Sequence, residues 1–184
     1  MPKFAANLSM LFTDVPFLDR FGAARAAGFE AVEFLFPYAW PAEQIAAQLR
    51  QHGLQLVLFN LHPGDWDAGE RGMACHPDRS DEFQASVAAA RDYALVLGVQ
   101  QVHCMAGKIP PGLAPEQARA TYIANLRYAA GLLALVGATV AFGQFVVGVE
   151  LGCVGGKGAH VGHARGAAGT AAQHGKDRQQ TRNQ

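Results

Sequence analysis

Short apolar runs alternate with segments of helical period over the first 130 residues. Four apolar runs predict strands, at residues 4–12, 31–36, 54–60 and 99–105. The intervening segments predict helices at residues 16–27, 41–51 and 80–97, and a further helix that begins at Pro115. Strands that alternate with helices in this way are typical of βαβ crossovers, so the pattern predicts an α/β fold with a parallel sheet.

The ends and buried stripes of the helices follow from the same pattern. Thr13 or Asp14 is the expected N-cap of the first helix. Ile123, Leu126 and Ala130 form the expected buried stripe of the last helix. Glycine, the usual residue just after a helix, predicts the ends of the first three helices at Gly28, Gly53 and Gly98.

Doubly wound sheets and (β/α)8 barrels both satisfy this alternation. A dinucleotide-binding sheet would carry GxGxxG after its first strand, and no such motif follows residues 4–12. The missing motif favours a barrel.

Composition and charge narrow the class of protein. The chain has 184 residues, of which 50% are hydrophobic and 16% charged, as in one globular domain. Its formal net charge of +0 provides no long-range attraction to nucleic acid or acidic membranes, so neither is a predicted specific partner. Three widely spaced cysteines form neither a disulfide framework nor a metal motif, and the N-terminus does not resemble a signal peptide, so we predict a cytoplasmic protein.

Candidate binding residues lie at the carboxyl ends of the predicted strands, where ligands bind in parallel α/β folds. Asn7 with Ser9, Glu33, Asn60 with His62, and His103 occupy such positions, and the predicted substrate-binding residues among them are Asn7, Glu33, Asn60 and His103. A carboxylate within an apolar strand is costly unless it faces a polar site, although Glu33 is equally compatible with a solvated strand end. His103 is compatible with a neutral hydrogen-bond donor to substrate and with a core histidine.

A long polar loop follows the third predicted strand, at residues 62–79. Its length and its glycines fit an active-site flap, and they also fit an ordinary connection. His62, Asp65 and Asp67 lack ligand spacing, so no metal site is predicted there.

Several of these segments resemble the hydroxypyruvate isomerase family. The resemblance is carried in order by residues 4–12 (FAANLSMLF), 28–38 (GFEAVEFLFPY), 58–60 with 63–65, 101–107 and 125–130. It implies a xylose-isomerase-like (β/α)8 barrel that interconverts hydroxypyruvate and tartronate semialdehyde through an enediolate. It also implies a small hydroxy-keto acid substrate, two carboxylates for proton transfer and a divalent cation, Mg²⁺ or Mn²⁺, in related enzymes.

Beyond Ala130 the sequence departs from the family pattern. The resemblance implies a glutamate at the end of the fifth strand, near Gly143, and the later acids are only Glu150 and Asp177. Glu150 is therefore the remaining candidate catalytic acid or base, and ligands for the implied cation are not present in this chain. A barrel takes about 250 residues, so we predict an incomplete barrel of four to five βα units, from a truncated or frameshifted gene, with little or no activity.

The pattern predicts two unlike parts, a partial barrel over residues 1–150 and a disordered Gly/Ala-rich basic tail over residues 151–184. Residues 129–149 are apolar enough for a membrane span, but we interpret them as a helix end followed by a strand. Two alternatives to hydroxypyruvate isomerisation stay open. One is another sugar or keto-acid isomerase or epimerase of the same barrel type, and the other is a non-catalytic half-barrel that self-associates through its exposed edge.

Overall fold

The computed structural model describes residues 3–142. The strands are β1 (Ala5–Asn7), β2 (Ala31–Glu33), β3 (Gln55–Asn60), β4 (Gln101–Cys104) and β5 (Thr139–Phe142). The helices are α1 (Arg20–Ala26), α2 (Ala42–His52), α3 (Ser80–Leu97) and α4 (Pro115–Ala134), with short 3-10 turns before α1 and α3. The predicted α/β class is confirmed. Glu150, the predicted boundary beside it and the predicted tail lie outside the described residues.

Strand order distinguishes the two α/β architectures. All neighbouring strands pair in parallel, and the order in the sheet is the chain order, β1-β2-β3-β4-β5. In a doubly wound sheet the order in which strands are added reverses at the first strand. In a barrel each strand lies beside the previous one. The described residues therefore form five successive strands of a (β/α)8 barrel, which confirms the predicted partial barrel.

The core lies between the sheet and the helices. The rings of Phe34, directly after β2, and Phe59 of β3 have centroids 6.5 Å apart. The Phe34 ring lies 5.4 and 6.2 Å from those of Phe17 and Phe21 in the first helical segment. All four rings are buried. Aromatic pairs at these separations add to the stabilisation that burial of their apolar area provides.

The start of the first helical segment differs from the prediction. Pro16 occupies the N-cap position of the 3-10 turn that precedes α1, and no side chain caps it. The predicted capping by Thr13 or Asp14 is wrong. Proline with its fixed φ starts the turn without a side-chain acceptor.

The buried stripe of α4 also differs. Ala130 is exposed, and Ile123 and Leu126 are only half-buried, so the predicted stripe is wrong. The residues that face the core are Ala118, Tyr122, Asn125, Ala129 and Leu133. The Asn125 side chain donates to the Ala74 carbonyl at 2.9 Å, so the buried amide on this face has a hydrogen-bond partner.

Tyr122 supplies a prediction about stability. Its side chain is 1% exposed, and its hydroxyl has no hydrogen-bond partner among the described residues. Since a buried hydroxyl without a partner opposes folding, Tyr122→Phe should leave the free energy of unfolding unchanged or raise it by up to about 1 kcal/mol. Tyr93→Phe is the matched control. The Tyr93 hydroxyl donates to the Trp40 carbonyl at 2.8 Å, so this variant should lose about 1 kcal/mol of the free energy of unfolding. Urea unfolding that ranks Tyr122→Phe below Tyr93→Phe would contradict this account.

The apolar segment after residue 129 divides as predicted within the described range, since α4 ends at Ala134 and β5 begins at Thr139. Among residues 3–142, no helix combines the length and apolar character needed to cross a membrane.

Candidate functional site

Four polar side chains lie near the carboxyl ends of neighbouring strands, on the sheet face opposite the core. Asn7 is in register with Glu33, and Asn60 is in register with His103. The residue before each of them is buried: Ala6, Val32, Phe59 and Val102. Since side chains alternate along a strand, the four polar groups share the inner face. The structure thus brings together the predicted substrate-binding residues, whose role stays a prediction.

A bulge in β3 makes this arrangement possible. The register with β2 shifts between Val32 and Glu33, so that β3 contains one extra residue, Val57. Without the extra residue, alternation would place Asn60 on the helix side of the sheet. The bulge therefore aims Asn60 toward the other polar groups.

Asn7 is held on both sides of its amide. Its Nδ2 donates to Glu33 Oε1 at 3.0 Å, and its Oδ1 accepts from the Ser9 amide at 3.0 Å. Ser9 Oγ in turn accepts from the Leu35 amide at 2.9 Å. These bonds connect the loop after β1 to β2 and fix the orientation of the Glu33 carboxylate.

Asn60 and His103 form the second pair across the inner face. Asn60 is 4% exposed, and His103 is half-buried at the adjacent position of β4. Burial lowers the pKa of the His103 imidazole below its ordinary value. The ring is therefore neutral near pH 7, with one N–H donor and one acceptor nitrogen.

Tyr38, which the sequence pattern did not single out, fixes the end of β3. Its hydroxyl donates to the Asn60 carbonyl at 2.8 Å, and its ring lies 5.5 Å from the His62 ring. Burial raises the pKa of Tyr38 well above its usual value, so the phenol remains a donor at neutral pH. The available signal was its place just after the second strand, near the expected ligand-binding edge.

The long loop after β3 is attached to the segment that follows β4. The Cys75 amide donates to the Ala106 carbonyl at 2.8 Å, and Lys108 Nζ donates to the Gly69 carbonyl at 2.7 Å. Arg71 stacks over the Trp66 ring at 3.8 Å. These contacts order the loop, and its role as an active-site flap stays a prediction.

Arg79 links this loop to the start of α3. Its guanidinium contacts Glu70 and Glu82, each at 2.7 Å. Hydrogen bonds from Arg79 hold the pKa of both carboxyls below the ordinary range. The spacing of Arg79 and Glu82, three residues apart at a helix start, was the sequence signal for half of this cluster.

We expect both carboxyls to titrate at unusually low pH. The stabilisation from these pairs is complete above the ordinary glutamate pKa, about 4.3, and is lost as the pH falls through the lowered values. Arg79→Gln should return the pKa of Glu70 and Glu82 toward that ordinary value in an NMR titration of the carboxyl carbons. Arg91→Gln removes a different arginine–carboxylate pair, with Asp92, and should leave both unchanged. Unchanged titrations in Arg79→Gln would contradict the assignment.

The described residues do not fit the divalent cation that the resemblance implies. Within residues 3–142, no three His, Cys, Asp or Glu side chains are grouped so that they could hold a metal ion. Glu33 is a single carboxylate hydrogen-bonded to Asn7, and the described inner face supplies no second one beside it. No step is therefore assigned to a cation.

The sequence of this sheet and its helices matches a protein family of known fold. The family model for the xylose isomerase-like TIM barrel matches residues 21–142. The chain belongs to the xylose isomerase-like TIM barrel family. This family assignment agrees with the sequential parallel sheet and with the position of the polar residues at its carboxyl edge.

Relatives within the family are named as isomerases. The chain is 51% identical over 140 residues to a 2-oxo-tetronate isomerase of Cupriavidus necator, covering 76% of this chain and 54% of that protein. It is 50% identical over 133 residues to the hydroxypyruvate isomerase of Escherichia coli, covering 72% and 52%. A crystal structure of an AP endonuclease, family 2, from Brucella melitensis has a TM-score of 0.74 and 53% identity over 77% of this chain and 55% of that one. The chain spans about half the length of the curated relatives it matches.

Proposed function

We propose that the chain binds a small 2-oxo acid with a hydroxyl next to the carbonyl, and that its family reaction is the isomerisation of hydroxypyruvate. The observation that carries the proposal is the row of Asn7, Glu33, Asn60 and His103 on one face of four successive strands. Relatives that share about half of their aligned residues with this chain are named as isomerases of such acids, which supports this class of substrate. The same names favour 2-oxo-tetronate as a second substrate.

The reaction moves a carbonyl between adjacent carbons. A base removes the proton from the hydroxyl-bearing carbon, an enediolate forms, and an acid returns the proton to the neighbouring carbon. Neutral His103 and the Asn60 amide can donate N–H groups to the substrate oxygens that gain negative charge. Glu33, oriented by Asn7, can accept a hydrogen bond from the substrate hydroxyl.

Proton transfer at carbon requires carboxylates that the described inner face does not supply in full. Glu150 remains our candidate for one of them, and the implied fifth-strand glutamate would lie near Gly143. We therefore propose that this sequence binds the substrate but turns it over slowly or not at all. A cytoplasmic location is part of the proposal, because Cys75 and Cys104 are free thiols, as is usual in a reducing compartment.

The test uses the purified full chain. Proton NMR in D₂O, with hydroxypyruvate or 2-oxo-tetronate and with or without diamagnetic Mg²⁺, follows binding by line broadening and turnover by loss of the signal at the exchanging carbon. We expect binding of at least one acid and little turnover. Failure to bind either acid contradicts the proposed function. Rapid turnover contradicts the impairment, and Glu150→Gln then tests whether that residue is the acid or base.

A second candidate is a non-catalytic partial barrel that self-associates. Within the described residues, β1 and β5 each pair on one side only, and Phe4 and Phe142 beside them are 72% and 47% exposed. An open strand edge with exposed aromatic rings favours pairing with another copy. Light scattering at increasing concentration, together with the binding assay, separates the candidates. A concentration-dependent dimer that binds neither acid favours self-association, while a monomer that binds excludes it.

A further inference from the structure

The carbonyl of Asn60 lies where the backbone pairing of β3 with the segment after β2 ends. The Asn60 amide donates to the Leu35 carbonyl at 2.8 Å, so this pairing reaches Asn60. In a regular parallel pair, the next donor to the Asn60 carbonyl would be the amide two residues beyond Leu35. That residue is Pro37, which has no N–H. The Tyr38 hydroxyl donates to the Asn60 carbonyl instead, at 2.8 Å, so a side chain replaces the missing backbone donor.

Neighbouring rings hold Tyr38 in place. Its ring lies 6.4 Å from the ring of Phe59, 5.5 Å from that of His62 and 5.3 Å from that of Tyr93. Phe59 belongs to the core and Tyr93 to α3, so the Tyr38 ring lies on the helix side of the sheet. Tyr38 therefore influences the inner face through the backbone of Asn60.

The orientation of Asn60 depends on its backbone more than that of Asn7 does. The Asn7 side chain is fixed by hydrogen bonds with Glu33 and Ser9. The hydrogen bonds that Asn60 makes with other described residues are backbone bonds. Since a side chain leaves the strand in a direction set by the backbone, the Asn60 amide points where the end of β3 directs it.

We infer that Tyr38 is a positioning residue, which holds the end of β3 so that the Asn60 amide faces the bound 2-oxo acid. The inference rests on the proposed function for the class of substrate. Without the Tyr38 hydroxyl, the Asn60 carbonyl loses this donor, and the end of β3 is free to rotate. The Asn60 amide then loses its alignment with the substrate oxygen, which lowers affinity in addition to any loss of stability.

The experiment measures the dissociation constant of the purified full chain by titration calorimetry, with hydroxypyruvate and with 2-oxo-tetronate. Tyr38→Phe keeps the ring and removes the hydroxyl, so the dissociation constant should rise about fivefold, which corresponds to one neutral hydrogen bond. Tyr93→Phe is the matched control, because it removes a hydroxyl that donates to a different backbone carbonyl, that of Trp40. It should lower stability by a similar amount and leave the dissociation constant unchanged.

A measurement on the parent chain does not depend on the folding of Tyr38→Phe. If the hydrogen bond from Tyr38 to Asn60 favours binding, binding must favour that hydrogen bond by the same factor. In the parent labelled with [ζ-¹³C]tyrosine, the resonance of Tyr38 should therefore shift when the acid is added. The resonance of Tyr128, an exposed tyrosine on α4, should stay in place.

The outcomes separate this inference from the proposed function. If the parent binds, the Tyr38 resonance shifts and only Tyr38→Phe loses affinity, the inference is supported. If the parent binds while Tyr38→Phe binds equally well, or while Tyr93→Phe loses as much affinity, the inference is overturned and the proposed function stands. An unchanged Tyr38 resonance in a parent that binds also overturns it. If the parent binds neither acid, both are overturned.

Discussion

Gly72→Ala is expected to lower the free energy of unfolding by at least about 3 kcal/mol. Gly72 is buried with φ of +105°, a conformation that residues with a side chain rarely adopt. A Cβ at this position would also overlap the backbone carbonyl of Met105, which cannot move without disturbing the end of β4. Urea unfolding followed by circular dichroism measures the loss.

Gly112→Ala is the matched control. Gly112 has φ of +82°, but a Cβ there would meet no atom within 4 Å. This variant carries backbone strain without the overlap, so it should lose only about 1 kcal/mol. Equal losses in the two variants would show that close approach of the two loops does not contribute to stability.

The overlap at Gly72 would also reach the candidate site. The carbonyl of Gly72 lies against Gly107, so the loop after β3 and the segment after β4 approach each other through two glycines. Asn60 and His103 stand at the ends of these two strands. We therefore expect Gly72→Ala to weaken binding of the acid as well as folding, whereas Gly112→Ala should not.

Local pattern was sufficient to predict most of the elements. Helix α3 runs over Ser80–Leu97 as predicted, because its first turn carries acids and Gly98 ends it with φ of +64°. Helix α4 was predicted in place but with the wrong buried face, because its inward face includes Tyr122 and Asn125. The hydrogen bond from Asn125 to the Ala74 carbonyl joins residues 51 positions apart, and the periodicity of a single helix cannot predict such a contact.

The sequence was enough to predict that the candidate residues lie at the ends of strands, but not the geometry that brings them together, and their role in binding stays a prediction. The rule that ligands bind at the carboxyl ends of parallel strands was enough to select Asn7, Glu33, Asn60 and His103. Their shared face depends on a bulge in β3, and a one-residue insertion reverses alternation without changing the apolar character of the strand. The Asn7–Glu33 hydrogen bond likewise joins two strands across 26 residues. Tyr38 was not predicted, because it acts through a hydrogen bond to the backbone carbonyl of Asn60, which the sequence pattern does not show.

Phe34→Ala is expected to lose about 3–5 kcal/mol of the free energy of unfolding. Its ring is 1% exposed and contacts the rings of Phe17, Phe21 and Phe59, so removal leaves a cavity lined by rigid side chains. Phe4→Ala is the control, because that ring is 72% exposed and its loss should change stability by no more than about 0.5 kcal/mol. Urea unfolding of both variants at one temperature gives the comparison.

The same substitution tests whether the core and the candidate site are one structure. Phe34 directly follows Glu33, and Phe59 directly precedes Asn60, so the two stacked rings and the two polar groups lie on opposite faces of adjacent strands. Loss of the Phe34 ring lets β2 and β3 shift relative to each other, and the polar groups then separate. In conditions where both variants remain folded, Phe34→Ala should bind the acid more weakly than Phe4→Ala. Equal binding would mean that the inner face keeps its geometry without support from the aromatic core.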